Sequence, residues 1–149
     1  MKKLFFVAAA FIAGFTAMAQ KADDIVKLNA ETYSFGKIKQ GVPVTTSFTV
    51  SNTSDKPIVL ESVVASCGCT TPEWSKEPIA PGSTAQIKVG YNAAAVAPFT
   101  KDITIKLAGV QETKIIHITG EVLSTDAYAT YQKSDEYKKE TAKNKKVKS

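Results

Sequence analysis

Over much of the chain, apolar and polar residues alternate one by one, and a period of two is the pattern of a β-strand with one buried and one wet face. In "PVTTSFTVS", Val44, Thr46, Phe48 and Val50 fall on one side, while Thr45, Ser47, Thr49 and Ser51 fall on the other. The same reading sets Ala85, Ile87, Val89 and Tyr91 against Gln86 and Lys88, and Phe99, Ile103, Ile105 and Leu107 against Thr100, Asp102, Thr104 and Lys106. Further runs lie at Ile25 to Phe35 (in two pieces), Pro57 to Ala65 and Thr113 to Val122. Turn-forming stretches, "QGVP", "NTSDKP", "APGS" and "LAGVQ", separate them. No helical period intervenes, so the expected fold is all-β: an immunoglobulin-like antiparallel sandwich of about seven strands. It lacks the cysteine-tryptophan-cysteine spacing that ties the two sheets of antibody domains.

The ends of the chain read differently. "MKKLFFVAAAFIAGFTAMAQ" places two lysines before an apolar run and Ala17-Met18-Ala19 before Gln20, the pattern of a secretory signal peptide over residues 1–19. That run is too short to span a bilayer, so no transmembrane anchor is expected, and the mature chain should be exported, to the periplasm first and to the cell surface or outside as the alternative. Residues 20–123 then form the sandwich domain, and 124–149 a lysine-rich tail, disordered or a short helix. The net charge of +5 belongs to the ends: the domain carries ten lysines against ten acids, the tail seven against four. The basic residues are all lysines, without the arginine fork that grips phosphate, which argues against nucleic-acid binding. The tail allows only weak membrane or polysaccharide contact, because acids are interspersed among its lysines.

The chemistry-bearing candidates concentrate in "SVVASCGCTTPEW", which holds both cysteines. In a straight strand Cys67 and Cys69 would stand about 6.6 Å apart, whereas a disulfide brings its Cβ atoms to about 3.8 Å, so a bond between them needs a bend at Gly68. A three-residue loop gains only about 1.6 kcal/mol from such a bond in the chain-entropy picture. Four readings stand side by side: the tight end of a structural loop, a thiol redox pair, a Cu(I) or zinc site on the two sulfurs, and an intermolecular bridge. Zinc would want four ligands, and the chain has one histidine to add. Trp74 is a candidate partner contact or a lid on the sandwich end. His117 reads as a partly exposed strand residue, and the acids at Asp23, Asp24, Glu73 and Glu77 as surface charges; no catalytic or cofactor-binding residue is assigned.

"YSFGKIKQGVPVTTSFTVSN", "SVVASCGCTTPEW", "PIAPG" and "IKVGYN" in that order resemble the secreted bacterial family known as domain of unknown function 1573. Its motif positions fall here on Phe35, Gly36, Asn52, Cys67, Gly68, Cys69, Thr70, Pro81 and Gly82. The resemblance implies a sandwich similar to those of the abnormal-spindle, hydin and major-sperm-protein group, which act mainly as binding or scaffold modules. It carries no assigned activity. The expectation is therefore a non-enzymatic binding or scaffold module whose partner is another envelope protein or surface component. The alternative is a redox or soft-metal module centred on Cys67 and Cys69.

Overall fold

The computed structural model describes residues 21–147. The expected leader, with its cleavage point before Gln20, lies outside the described residues. A short helix α1 (Ala22–Ile25) leads into eight strands: β1 (Val26–Leu28), β2 (Thr32–Lys39), β3 (Val44–Asn52), β4 (Leu60–Ala65), β5 (Thr70–Trp74), β6 (Thr84–Tyr91), β7 (Pro98–Leu107) and β8 (Thr113–Leu123). Helices α2 (Thr125–Gln132) and α3 (Asp135–Val147) follow. The strands form two four-stranded sheets, β1-β3-β6-β5 and β2-β8-β7-β4, packed as an immunoglobulin-like sandwich.

The alternation explains the core. Phe48 and Val50 from β3, Ile87 and Val89 from β6, Ile103, Ile105 and Leu107 from β7, and Ile116 and Ile118 from β8 are buried between the sheets, while their chain neighbours face out. At one end Tyr91 stacks on Phe99 across the sheets, with ring centroids 4.0 Å apart. At the other, the turn glycines Gly82 and Gly109 take positive φ, which glycine adopts without steric cost.

Three features differ from the sequence expectation. β2 runs parallel to β8, so the sandwich is not wholly antiparallel. The chain reaches β2 by leaving one sheet for the other, and the strand it then meets is the last of the fold, a pairing that no local pattern encodes. The cysteine stretch is also not a lid over one end: its second half is β5, an edge strand paired to β6 from Thr70 opposite Tyr91 to Trp74 opposite Ile87. Finally, the lysine-rich segment, expected to be disordered or a short helix, forms two helices, the first capped by Ser124, whose hydroxyl accepts from the Ala127 amide. Tyr131 provides the anchor, being buried against the rest of the fold.

Candidate functional site

The two cysteines sit where the chain crosses from the edge of one sheet to the edge of the other. β4 closes that edge of the second sheet, β5 closes the same side of the first, and residues 66–69 join them. Three backbone bonds pin this turn: Ser66 N donates to Asp102 O (2.9 Å), Thr70 N to Cys67 O (3.2 Å) and Asn92 N to Cys69 O (3.1 Å). The bend brings the Cα atoms of Cys67 and Cys69 to 5.3 Å, and the two residues are joined by a disulfide. Both are half-buried, Cys69 against the core, while Gly68 at the apex is exposed with open space around it.

Thr70 directly beneath is buried, with its hydroxyl 3.7 Å from Cys67 Sγ and 3.9 Å from Cys69 Sγ. The sequence marks it only as a position of the family motif, with no role. A threonine at the first position of a strand gives no signal of which way its hydroxyl points.

The bond from Asn92 N to Cys69 O fixes the pattern along β5. Cys69, Thr71 and Glu73 face β6, so Thr70, Pro72 and Trp74 turn their backbone groups outward. Pro72 has no N–H to offer there, which blunts this edge against a foreign strand. Trp74 is half-buried, and its indole Nε1 donates to Leu60 O at 3.2 Å, linking β5 to β4 across the gap between the sheets. Its polar end is thus engaged within the fold rather than offered to solvent.

The remaining sequence candidates lie apart from the turn or face solvent. His117 Nδ1 stands 2.8 Å from Asp102 Oδ1 on the outer face of the second sheet. Glu73 pairs with Lys88 at 3.4 Å, and Asp23 with Lys114, which also reaches Glu31 at 3.3 Å. These two partners, Asp23 before Glu31, hold the Lys114 ammonium above its usual pKa range. Among the described residues no group of three or more His, Cys, Asp or Glu side chains stands together as metal ligands do.

The outer face of the second sheet carries a feature that the sequence reading did not single out. Val64, Thr104 and Ile115 are register neighbours across β4, β7 and β8, and Val64 is 59% and Ile115 45% exposed. The row is flanked on one side by Asp102 and His117, on the other by the Lys106–Glu61 pair at 3.2 Å. Alternation showed which residues face outward. That three of them line up depends on register, which only the fold supplies.

A second surface lies where the C-terminal helices meet β2. Lys37 Nζ reaches both Glu136 carboxylate oxygens at 2.9 Å and lies 5.0 Å from the Tyr131 ring centre. The Tyr131 hydroxyl donates to Glu140, whose carboxylate fills the space where a side chain at Gly36 would project. Burial, reinforced by the Glu140 hydrogen bond, holds the Tyr131 phenol far above its usual pKa range. An open cleft of about 470 Å³ lined by Gly36, Lys37, Gly120, Glu121, Glu136, Lys139 and Glu140 remains beside this contact. Of its charged groups, Lys37 and Glu136 pair with each other and Glu140 accepts from Tyr131.

Two four-stranded sheets packed face to face define an immunoglobulin-like β-sandwich domain. The chain belongs to the DUF1573 family, described as "Protein of unknown function", whose family model matches residues 26–122. No curated protein matches the sequence. Among solved structures, a protein of unknown function from Porphyromonas gingivalis W83 is similar at a TM-score of 0.58 and 19% identity over 72% of this chain, which spans about half (51%) of that protein's length. The ASH/PapD-like domain of human CEP192 (PapD-like domain 7) matches at a TM-score of 0.58 and 6% identity, covering 82% of this chain and 99% of that one. WR4, a major-sperm-protein family member of Caenorhabditis elegans, matches at 0.51 and 11%, covering 65% and 98%. At such identities the likeness shows the fold alone.

Proposed function

We propose that this chain is an exported, non-enzymatic β-sandwich module that binds another protein of the cell envelope through the outer face of its second sheet. The carrying observation is the exposed Val64–Thr104–Ile115 row. Val64 on β4 and Ile115 on β8 are exposed aliphatic side chains on either side of half-buried Thr104 on β7, and with the charged pairs that border them they form a small apolar strip with a polar rim, the arrangement of a protein contact. The partner is a protein presenting a matching apolar strip. Export rests on the leader pattern in residues 1–19. Within the described residues no helix is long and apolar enough to cross a membrane.

The test is capture of partners from envelope extracts by the wild-type chain and by the double variant Val64→Asp/Ile115→Asp. Both positions are exposed, so thermal stability should change by less than about 1 kcal/mol. Capture of the wild-type partner should fall at least about tenfold, since charge placed in the centre of a contact removes its most valuable area. Equal capture by both proteins would overturn the reading.

A further inference from the structure

We infer that Cys67 and Cys69 form a thiol–disulfide exchange site in which the Thr70 hydroxyl stabilises the thiolate released when the bond opens. This goes beyond the binding role and does not depend on it. Thr70 lies beneath both sulfurs. Its side chain is buried, at 4% exposure, and among the described residues the hydrogen-bond partners of its hydroxyl are the two sulfurs. A buried hydroxyl needs a partner to offset the loss of water. Cysteine sulfur in an uncharged state is a weak acceptor, whereas an anionic acceptor makes a shorter bond of about twice the strength. The hydroxyl is therefore poorly satisfied while the disulfide is closed and well satisfied once one sulfur carries charge.

The surroundings suit exchange. The apex at Gly68 is exposed with free space beyond it, so an incoming sulfur has room to approach. Cys69 packs against the core, which leaves Cys67 Sγ as the sulfur attacked and Cys69 Sγ as the leaving group. The backbone bonds at Ser66, Thr70 and Asn92 hold the turn independently of the disulfide, so the two sulfurs remain close after reduction. The co-reactant is a dithiol. Its thiolate attacks Cys67 Sγ, the Cys67–Cys69 bond breaks, and the electron pair passes to Cys69 Sγ, which accepts a hydrogen bond from the Thr70 hydroxyl. The second thiolate of the dithiol then attacks the mixed disulfide. The dithiol leaves oxidised to its own disulfide, and Cys67 and Cys69 are left reduced, having gained two electrons and, in total, two protons.

The experiment measures reduction of the oxidised chain by dithiothreitol, and the pH profile of iodoacetamide alkylation of the reduced chain, for wild type, Thr70→Val and Thr70→Ser. In the wild type, alkylation should report a thiol pKa below the free-cysteine value of about 8.5. Thr70→Val should raise that pKa by about one unit, the loss of one hydrogen bond to the charged form, and slow reduction about fivefold, because a more basic thiolate leaves more slowly. Thr70→Ser keeps the donor and should restore both. A wild-type pKa at or above about 8.5, or identical pH profiles and rates for wild type and Thr70→Val, would overturn the inference. The wild-type profile alone decides the matter if the valine variant does not fold.

Discussion

Replacing Asn52 with alanine is expected to lower the stability of the domain by about 3–4 kcal/mol without changing the cooperativity of unfolding. Asn52 ends β3 and is only 1% exposed. Its Nδ2 donates to Lys56 O at 2.7 Å and to Ile79 O at 2.8 Å, and its Oδ1 accepts from Ser54 N at 2.9 Å and Ser54 Oγ at 2.7 Å. One side chain thus ties the turn after β3 to the Ile58–Ile79 bridge, while its own backbone bonds Ser83 and Gly82 in the proline-glycine turn. Alanine removes four hydrogen bonds. Ile79 O keeps the Ile58 amide, and the Ser54 hydroxyl, released from Asn52 Oδ1, can turn its one proton to Lys56 O 2.9 Å away, so about 1 kcal/mol per lost bond is the fitting scale rather than the full price of an orphaned group. For a domain of this size that corresponds to a fall in Tm of about 15–25 °C. Denaturant titration followed by Trp74 fluorescence measures it, and a loss below about 1 kcal/mol would mean that the backbone bonds alone hold this end. Asn52→Asp separates geometry from charge. The carboxylate keeps both acceptor roles but faces the carbonyls of Lys56 and Ile79, so this variant should be the less stable of the two at neutral pH and should gain stability relative to wild type on acidification, as the carboxylate takes up a proton that lets it donate.

Much of the architecture was legible because strand alternation is local. Phe48, Ile87, Ile103 and Ile105 could be assigned to the core from their neighbours alone, and the structure buries all four. What escaped depends on contacts between distant segments. β5 was hidden because "TTPEW" contains a proline and a charge within five residues, which reads as a turn; only its place at a sheet edge, with Pro72 facing away from β6, makes it a strand. The C-terminal helices were legible only as a choice between disorder and a short helix, because their segment has few apolar residues. Tyr131 overcomes this by finding Phe35 and Lys37 on β2, some ninety residues earlier in the chain. The cysteine pair was visible as a pair, and the need for a bend at Gly68 followed from strand geometry. The sequence could not show that Thr70 lies under both sulfurs, nor that Trp74 directs its indole N–H back to Leu60. Asn52 and Gly36 stood out only through family resemblance, and the structure supplies physical reasons for both, a buried four-bond hub and a positive-φ site against Glu140.

The second large effect is expected at Gly120, where alanine should cost about 3 kcal/mol and loosen the C-terminal helices at the same time. Gly120 lies on β8, and a Cβ there would stand 2.8 Å from Phe99 Cζ and 2.9 Å from Gly36 O. Neither neighbour yields cheaply. The Phe99 ring is stacked on Tyr91, and Gly36 O is backbone in the irregular stretch of β2 between Ser34 and Lys37. Relief therefore comes from pushing β2 away from β8, which carries Gly36 away from Glu140 and Lys37 away from Glu136 and Tyr131. The two consequences separate by measurement. Denaturant titration should show the global loss, and hydrogen exchange should show faster exchange across Thr125–Gln132 and the first turns of α3. Gly36→Ala is the control. There the residue has φ +65°, so alanine costs about 1–2 kcal/mol for the left-handed backbone and displaces Glu140, yet leaves the Phe99–Gly120 contact intact. It should free the helices with a smaller global loss. If Gly120→Ala instead destabilises the sandwich while helix exchange keeps its wild-type rate relative to the core, then the helices are held by Tyr131 burial alone and the β2 irregularity plays no part in seating them.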